Sequence, residues 1–222
     1  MIYFEKSQPA PDCLALEKTK AAGDYKCQGV LQRLKDDFCN KCYICEKAEP
    51  LSINVEHFRP HRGDQELKFS WENLFWSCAH CNNIKLGGFS DILDCTDLEC
   101  SIESRLKYEF KPFPFENVKI HALDADPAVF SARTLIELVF NGSTELKIIE
   151  SANLRNELLH DIRDFQGYLI EYFKLTCTGS RKEFVSNKIR EHLHQASSFT
   201  AFKRWIIRDN ERLMTEFENY LT

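Results

Sequence analysis

Two pairs of cysteines, each separated by two residues, constrain this chain more than any other feature of its sequence. Cys42 and Cys45 form the first pair, and Cys78 and Cys81 form the second. A two-residue gap lets both thiolates of a tight turn face one tetrahedral ion, and two such turns complete a four-sulfur zinc site. The sequence therefore predicts one structural zinc ion (Zn²⁺), with the long segment between the pairs folded as an insert.

The other cysteines leave one alternative open. Ten residues of the chain are cysteine, and because no basic and then apolar leader begins at Met1, we expect metal rather than disulfides to explain them. Cys39 lies three residues before Cys42, so the first half of the site could use Cys39 and Cys42 instead. The Tyr-Ile filling between Cys42 and Cys45 favours Cys45. Three cysteines without a partner at ligand spacing are expected to be small buried hydrophobes: Cys13, Cys27 and Cys177.

The composition excludes several classes of protein. Lys and Arg number 29 against 34 Asp and Glu, a net charge of −5, which rules out a polybasic coat. With 43% hydrophobic and 28% charged residues, the chain is expected to be globular rather than disordered. No apolar run approaches the ~20 residues that span a bilayer. We therefore expect a cytoplasmic protein that makes no membrane contact.

The insert between the cysteine pairs predicts two strands and a short helix. Apolar and polar residues alternate over 52–58, which is typical of a strand, and Arg59-Pro60 ends it. Residues 67–71 can supply the returning strand. A helix is expected to begin at Asn82, directly after the second cysteine pair.

Three short motifs occur in order inside this cysteine frame: Glu56-His57, Asn73-Leu74 and Cys81-Asn82-Asn83-Ile84-Lys85. Together they resemble the ββα-metal motif of the HNH nuclease family, over about residues 42 to 86. The resemblance implies an acidic residue and a histidine on one strand, an Asn-Leu pair in the loop and a helix that opens on Cys-Asn. It also implies that the zinc is structural and that a separate ion takes part in catalysis.

The resemblance and the chemistry of the side chains imply the same roles. His57 is expected to be the general base, because the imidazole pKa lies near neutrality. Glu56 and Asn82 offer hard oxygen ligands suited to one catalytic Mg²⁺ or Mn²⁺. Asn73 is expected to brace the loop that aims His57. Lys85, one turn after Asn82, is expected to face the same way and to pair with a phosphate.

Residues just past the first strand add candidate contacts to nucleic acid. Arg59 and His61 are expected to bind phosphate together with Lys85. The family more often has Asp where this chain has Glu56. The longer Glu side chain changes the distance between the backbone and the carboxylate, and so whether Glu56 contacts the ion directly. His80, inside the second cysteine pair, is expected to be a surface side chain, with an alternative role as a metal ligand.

The whole chain is expected to be an α+β fold, mostly helical, with the zinc-framed motif inserted between N-terminal helices and a C-terminal helical bundle. The predicted regions are an N-terminal helical segment (1–40), a zinc-stabilised nuclease core (41–110) and a C-terminal helical region (111–222). Helical periodicity predicts these individual helices: 11–20, 27–38, 128–140, 154–173, 180–193 and 202–221.

The layout of the whole chain is similar to that of the PtuB family, the HNH nuclease subunits of Septu and retron-associated anti-phage systems. The opening Met-Ile-Tyr-Phe-Glu-Lys-Ser, Val-Glu-His-Phe-Arg-Pro-His and Trp-Glu-Asn-Leu-Phe-Trp-Ser-Cys carry this resemblance. It implies a PtuA-like ATPase partner, and the chain has no Gly-x-x-x-x-Gly-Lys-Ser/Thr loop of its own. DNA is the expected substrate, with RNA left open. The alternatives are a catalytically silent zinc module that binds nucleic acid or a partner, and a stand-alone restriction-type nuclease.

Overall fold

The computed structural model describes residues 1–86, 88–142 and 144–221. About 53% of the chain is helical, and the strands form two small antiparallel sheets, so the fold is α+β and mostly helical, as predicted. Across these ranges the helices are α1 (Asp12–Lys18), α2 (Gln28–Asp37), α3 (Gln65–Lys68), α4 (Ala79–Lys85), α5 (Ile102–Arg105), α6 (Pro127–Asn141), α7 (Glu145–Tyr172), α8 (Gly179–Leu193), α9 (Thr200–Arg208) and α10 (Glu211–Phe217). The strands are β1 (Ile53–His57), β2 (Leu74–Cys78), β3 (Leu106–Glu109) and β4 (Lys119–Ala122).

The first sheet and α4 form a compact strand–strand–helix unit. β1 pairs antiparallel with β2, with Ile53 opposite Cys78 and His57 opposite Leu74. The returning strand predicted over 67–71 is wrong, since α3 and a single 3₁₀ turn occupy that segment. The Asp64 carboxylate caps α3 by accepting from two backbone N–H groups. The true returning strand, β2, is buried along its whole length, so its sequence lacks the polar–apolar alternation that marks a strand.

The two N-terminal helices, α1 and α2, lie close to their predicted limits. Cys13 in α1 and Cys27 just before α2 are joined by a disulfide. The expectation that they are separate buried thiols is therefore wrong. Both are only partly buried, and the turn between the helices brings them together, a pairing that no spacing rule in the sequence predicts.

Thiol titration should therefore count eight reactive cysteines rather than ten in protein denatured without reductant and without metal. The eight free thiols belong to Cys39, Cys42, Cys45, Cys78, Cys81, Cys95, Cys100 and Cys177. Reduction before titration should raise the count to all ten cysteines of the chain. Peptide mapping should recover a cross-link between Cys13 and Cys27, and ten titratable thiols without reductant would contradict the pairing.

A second hairpin, which the sequence did not predict, lies along the chain between the strand–strand–helix unit and the helical tail. β3 and β4 pair antiparallel, with Leu106 opposite Ala122. The predicted boundary at residue 110 falls in the loop between these two strands. The backbone N–H of Ile120 in β4 donates to the Glu137 carboxylate of α6 at 3.0 Å. The hairpin is therefore packed against the first helix of the tail.

The tail contains five helices within the described ranges, α6 to α10. α7 starts earlier than predicted. The buried apolar stripe did not reveal its first turns, because the apolar side chains there are exposed: Leu146, Ile148 and Ile149. The single helix predicted over 202–221 is instead two helices. α9 ends at Arg208, and the Asn210 side chain starts α10 by accepting from the backbone N–H of Leu213 at 3.1 Å.

Two clusters of buried apolar side chains stabilise this arrangement. The larger cluster joins the N-terminal segment, the strand–strand–helix unit, the second hairpin, α6 and the first half of α7. The smaller cluster lies between the second half of α7 and the last three helices. None of the helices in the described ranges combines the length and the apolar character that a membrane crossing requires. The strand–strand–helix unit therefore shares one apolar core with the N-terminal segment and the start of the tail.

Candidate active site and zinc centre

The four cysteines of the two pairs meet at one buried point. Their sulfur atoms all lie within 4.8 Å of one another, and the Cys45 and Cys78 sulfurs are 4.0 Å apart. Four thiolates at ~2.3 Å from a tetrahedral zinc ion lie roughly 3.8 Å from each other, so the cluster has the size that the ion requires. The cluster could therefore hold a metal ion such as zinc. Cys39 lies outside it, where its sulfur accepts a hydrogen bond from Gln195 at 3.6 Å.

The backbone around each pair explains why the sulfurs converge. In the first turn, the Glu46 N–H donates to the Cys42 carbonyl at 2.8 Å. The Tyr43 N–H donates to the Trp76 carbonyl of β2 at 3.1 Å, which fixes this turn to the sheet. In the second pair, Cys78 ends β2 and its sulfur accepts from the Cys81 N–H at 3.5 Å, so the start of α4 points both sulfurs inward.

His57 ends β1 and is half-buried. Its Nε2 lies 3.0 Å from the Lys68 carbonyl oxygen, and because a carbonyl only accepts, Nε2 must carry the proton. In the neutral ring the lone pair then lies on Nδ1, for which the described residues provide no hydrogen-bond partner. Burial lowers the pKa of His57, and the charges of His61 and Lys68 add to this effect, whereas the hydrogen bond to the Lys68 carbonyl opposes it. The ring is therefore held in the neutral form and the tautomer that a general base needs.

Glu56, next to His57 on β1, is buried and only partly neutralised. Its Oε1 accepts from the Lys85 ammonium at 2.6 Å and from the Tyr43 hydroxyl at 3.1 Å. Its Oε2 is also buried, and no described residue hydrogen bonds to it. Burial raises the pKa of Glu56 even though Lys85 opposes this effect. A buried carboxylate oxygen without a partner is costly, and a cation placed beside it would remove that cost.

Lys85 does not face a substrate, so the expectation that it pairs with a phosphate on the same side as Asn82 is corrected. The side chain is fully buried. Besides Glu56, the ammonium donates to the Phe58 carbonyl at 2.7 Å and the His57 carbonyl at 3.4 Å. Its three N–H bonds thus each have a protein acceptor, and Lys85 fastens α4 to the end of β1 rather than reaching for a phosphate.

Asn73 has the bracing contacts expected of it. Its Oδ1 accepts from the Arg59 N–H at 2.7 Å, and its Nδ2 donates to the Arg59 and Leu67 carbonyls at 2.9 and 3.0 Å. One buried amide therefore ties together both ends of the loop that follows His57. The Arg59 side chain itself is exposed.

A pocket of about 300 Å³ opens beside His57. Its lining comprises Glu56, His57, Pro60, His61, Arg62, Asn82 and Leu86. Four of the predicted site residues therefore share one cavity: Glu56, His57, His61 and Asn82. Arg62 was missed by the sequence analysis; the only signal for it was a basic residue in the turn after the strand. Arg59 does not belong to the lining among the described residues.

His80 is neither a zinc ligand nor a free surface residue. Its Nδ1 lies 2.6 Å from the Glu150 carboxylate of α7, and its Nε2 lies 2.8 Å from the Val139 carbonyl of α6. The imidazole thus contacts two helices of the tail from a position between two cysteines of the cluster. Sequence reasoning could not find this role, because both partners lie far along the chain.

A larger cavity, of about 560 Å³, lies elsewhere, beside α9. Its lining includes Trp205 and Arg208, and Glu103 there pairs with Arg208 at 3.0 Å. The Glu103 carboxylate of this cavity is thus already paired, and the exposed Asp97 carboxylate accepts from the Glu99 N–H at 3.0 Å. Among the residues that the structure describes, the lining contains no histidine and no buried carboxylate oxygen without a partner, so the smaller pocket is the better candidate site.

The smaller pocket combines groups that phosphoryl chemistry can use. They are a neutral imidazole, a buried carboxylate oxygen without a partner, the amide of Asn82 and the guanidinium of Arg62. A general base, hard oxygen ligands and a cationic group are the components of metal-assisted hydrolysis. No known protein-family model matches this chain, and a search of curated proteins finds no matching relative.

Proposed function

We propose that this protein is a metal-dependent endonuclease that hydrolyses phosphodiester bonds of nucleic acid, with His57 as the general base. One observation carries the proposal. A half-buried imidazole with its Nε2 committed to the Lys68 carbonyl shares a pocket with Glu56, whose Oε2 is buried and unpartnered. The strand–strand–helix order and the cysteine frame agree with the HNH resemblance of the sequence.

His57 has one task in this reaction, the removal of a proton from the attacking water. The Lys68 carbonyl holds the Nε2 proton, so Nδ1 is the atom that accepts the proton from water. The lowered pKa of His57 keeps that nitrogen unprotonated near neutral pH. Arg62 and His61, which line the same pocket, are placed to donate hydrogen bonds to phosphate oxygens.

Glu56 and Asn82 are the residues that would hold a catalytic Mg²⁺ or Mn²⁺. Carboxylate and amide oxygens suit such ions, and the unpartnered Oε2 of Glu56 fits a cation at its side. When bound, a divalent ion stabilises negative charge on the scissile phosphate and on the leaving oxygen. The zinc of the four-cysteine cluster would be structural, because four protein ligands leave it no open position.

The biological setting of the proposal follows from the whole-chain resemblance to the PtuB family. In this setting the chain is the nuclease of a cytoplasmic anti-phage complex and acts with a PtuA-like ATPase on DNA. A chain of net charge −5 offers little non-specific attraction to nucleic acid, which suits a nuclease that relies on a partner. RNA remains the second substrate to be assayed.

The His57→Ala variant, assembled with the ATPase, should lose at least about 100-fold of the cleavage rate, the usual contribution of a general base. The assay follows cleavage of phage DNA and of total RNA in Mg²⁺ or Mn²⁺. The matched control is His121→Ala, because His121 is an exposed histidine that pairs with Glu109 at 2.9 Å away from the pocket. Unchanged cleavage by the His57→Ala complex would overturn the catalytic proposal.

A silent zinc module that binds nucleic acid or a partner is the second candidate function. The observation that favours it is the buried ion pair of Glu56 with Lys85, which already occupies one carboxylate oxygen. Under this alternative neither wild type nor His57→Ala cleaves, and both bind nucleic acid equally. Efficient DNA cleavage by the purified chain without any ATPase would instead favour the stand-alone nuclease.

A further inference from the structure

The His57 ring lies between two aromatic rings that come from different parts of the chain. The His61 ring is 4.6 Å away, centroid to centroid, and belongs to the loop that follows β1. The Tyr25 ring is 4.5 Å away and meets His57 edge-on at 63°. Tyr25 belongs to the turn between α1 and α2, outside the strand–strand–helix unit. One of the two rings that contact the proposed general base therefore comes from outside the strand–strand–helix unit.

The turn that carries Tyr25 is tied down at several points. The disulfide between Cys13 and Cys27 closes it, two residues beyond Tyr25. The Asp24 N–H donates to the Glu17 carboxylate at 3.0 Å. These contacts hold the turn independently of Tyr25, so a change of that one side chain should leave the turn in place.

The same turn is also connected to the hydrogen bond that orients His57. The Lys68 carbonyl accepts from His57 Nε2, and the Lys68 ammonium donates to the Gly23 carbonyl at 3.2 Å. A β-carbon on Gly23 would lie 1.9 Å from the Glu17 carbonyl oxygen, so the turn approaches α1 as closely as only glycine allows. Lys68 thus links the tautomer of His57 to the position of the Tyr25 turn.

We propose that Tyr25 is a positioning residue for His57, and that its ring keeps Nε2 on the Lys68 carbonyl and Nδ1 available to water. An imidazole rotated about its χ2 torsion would lose the Lys68 contact, and the Tyr25 ring, 4.5 Å away between centroids, packs against the imidazole in its present orientation. The contribution to catalysis rests on the proposed nuclease function. The effect on the His57 ring does not, and it can be measured in the chain alone.

The direct measurement is ¹⁵N NMR of the His57 imidazole at about pH 8.5, where imidazole is neutral. Wild type and Tyr25→Phe should show the single tautomer protonated at Nε2. Tyr25→Ala should show a mixture of tautomers, because a ring that turns away from the Lys68 carbonyl can lose its Nε2 proton to water and regain a proton on either nitrogen. Tyr168→Ala is the matched control, because Tyr168 is also half-buried and packs on a histidine, His192, at 5.6 Å. A single Nε2–H tautomer in Tyr25→Ala would overturn the proposal.

The kinetic measurement uses the assembled complex. Tyr25→Ala should lower kcat by about 10- to 100-fold, the range expected for a misplaced catalytic group, with KM changed far less. Tyr25→Phe should retain the wild-type kcat, because it keeps the ring. An equal fall of kcat in Tyr25→Phe, or an effect on KM alone, would contradict a positioning role and indicate contact with substrate.

The two measurements separate the failure of this inference from the failure of the proposed function. If Tyr25→Ala gives a mixture of His57 tautomers but the wild-type complex cleaves no nucleic acid, Tyr25 positions His57 and the nuclease proposal fails. If wild type cleaves and Tyr25→Ala retains both the tautomer and kcat, the nuclease proposal stands and the inference fails. Tyr25→Leu, which keeps bulk without a ring, replaces Tyr25→Ala if the smaller side chain lowers the melting temperature.

Discussion

Removal of the metal from the four-cysteine cluster should unfold the strand–strand–helix unit rather than loosen a surface loop. The sulfurs are buried, and the cysteines lie at the turn before β1, at the end of β2 and in the first turn of α4. The ion would therefore join the first cysteine turn to β2, which pairs with β1, and to α4, which Lys85 fastens to β1. Zinc-finger peptides gain ~10–16 kcal/mol from zinc, and we expect a loss of about 5–10 kcal/mol here because the remaining core still packs.

The measurement is zinc content together with the melting temperature. Purified protein should contain one zinc ion per chain, and a strong chelator should lower the melting temperature. Cys45→Ser should lose the ion, whereas the control Cys39→Ser should retain it, because Cys39 lies outside the cluster. The reverse result would assign the first half of the site to Cys39, and full stability without zinc would remove its structural role.

Replacement of Lys85 by Met should strongly destabilise the protein. The Lys85 ammonium is fully buried and pairs with Glu56 at 2.6 Å. Removal of one partner of a buried ion pair leaves the other charge uncompensated, which costs about 3–5 kcal/mol. The Phe58 and His57 carbonyls would also lose their donor. The end of β1, which carries His57, should therefore detach from α4.

Urea denaturation of Lys85→Met measures the loss of unfolding free energy. The double variant Glu56→Gln/Lys85→Met should be less destabilised than Lys85→Met, because no charge is then buried alone. Lys188→Met is the matched control, since Lys188 pairs with Glu191 at the same 2.6 Å on the exposed surface and should matter far less. Equal effects of Lys85→Met and Lys188→Met would contradict the buried pair.

The sequence predicted best those features that depend on spacing. The two-residue gaps predict that two cysteine pairs share one ion, because such a gap lets two thiolates face the same metal. The Tyr-Ile filling, rather than the gap, favoured Cys45 over Cys39. The bracing contacts of Asn73 followed from the order of the motifs. The helices of the tail followed from their apolar periodicity, which packing preserves.

What the sequence could not predict depends on contacts between distant segments. The spacing of Asn82 and Lys85 places both on one face of α4, but it does not reveal that β1 covers Lys85. Cys13 and Cys27 are 14 residues apart, a spacing that predicts neither a metal site nor a disulfide. Only the folded turn between α1 and α2 shows that the two cysteines meet. Tyr25 carried no signal at all, since an aromatic residue in a loop is common and its neighbour His57 lies far along the chain.

The position of His80 couples two events that are otherwise separate. It lies between Cys78 and Cys81 on α4 and contacts α6 and α7 through Val139 and Glu150. Loading of the metal and docking of the tail therefore act on the same short helix. By thermodynamic reciprocity, the factor by which a bound ion favours docking equals the factor by which docking tightens the ion. A partner that separates the tail from α4 would then weaken the binding of zinc, so a zinc-sensitive dye at equilibrium would report partner engagement without any substrate present.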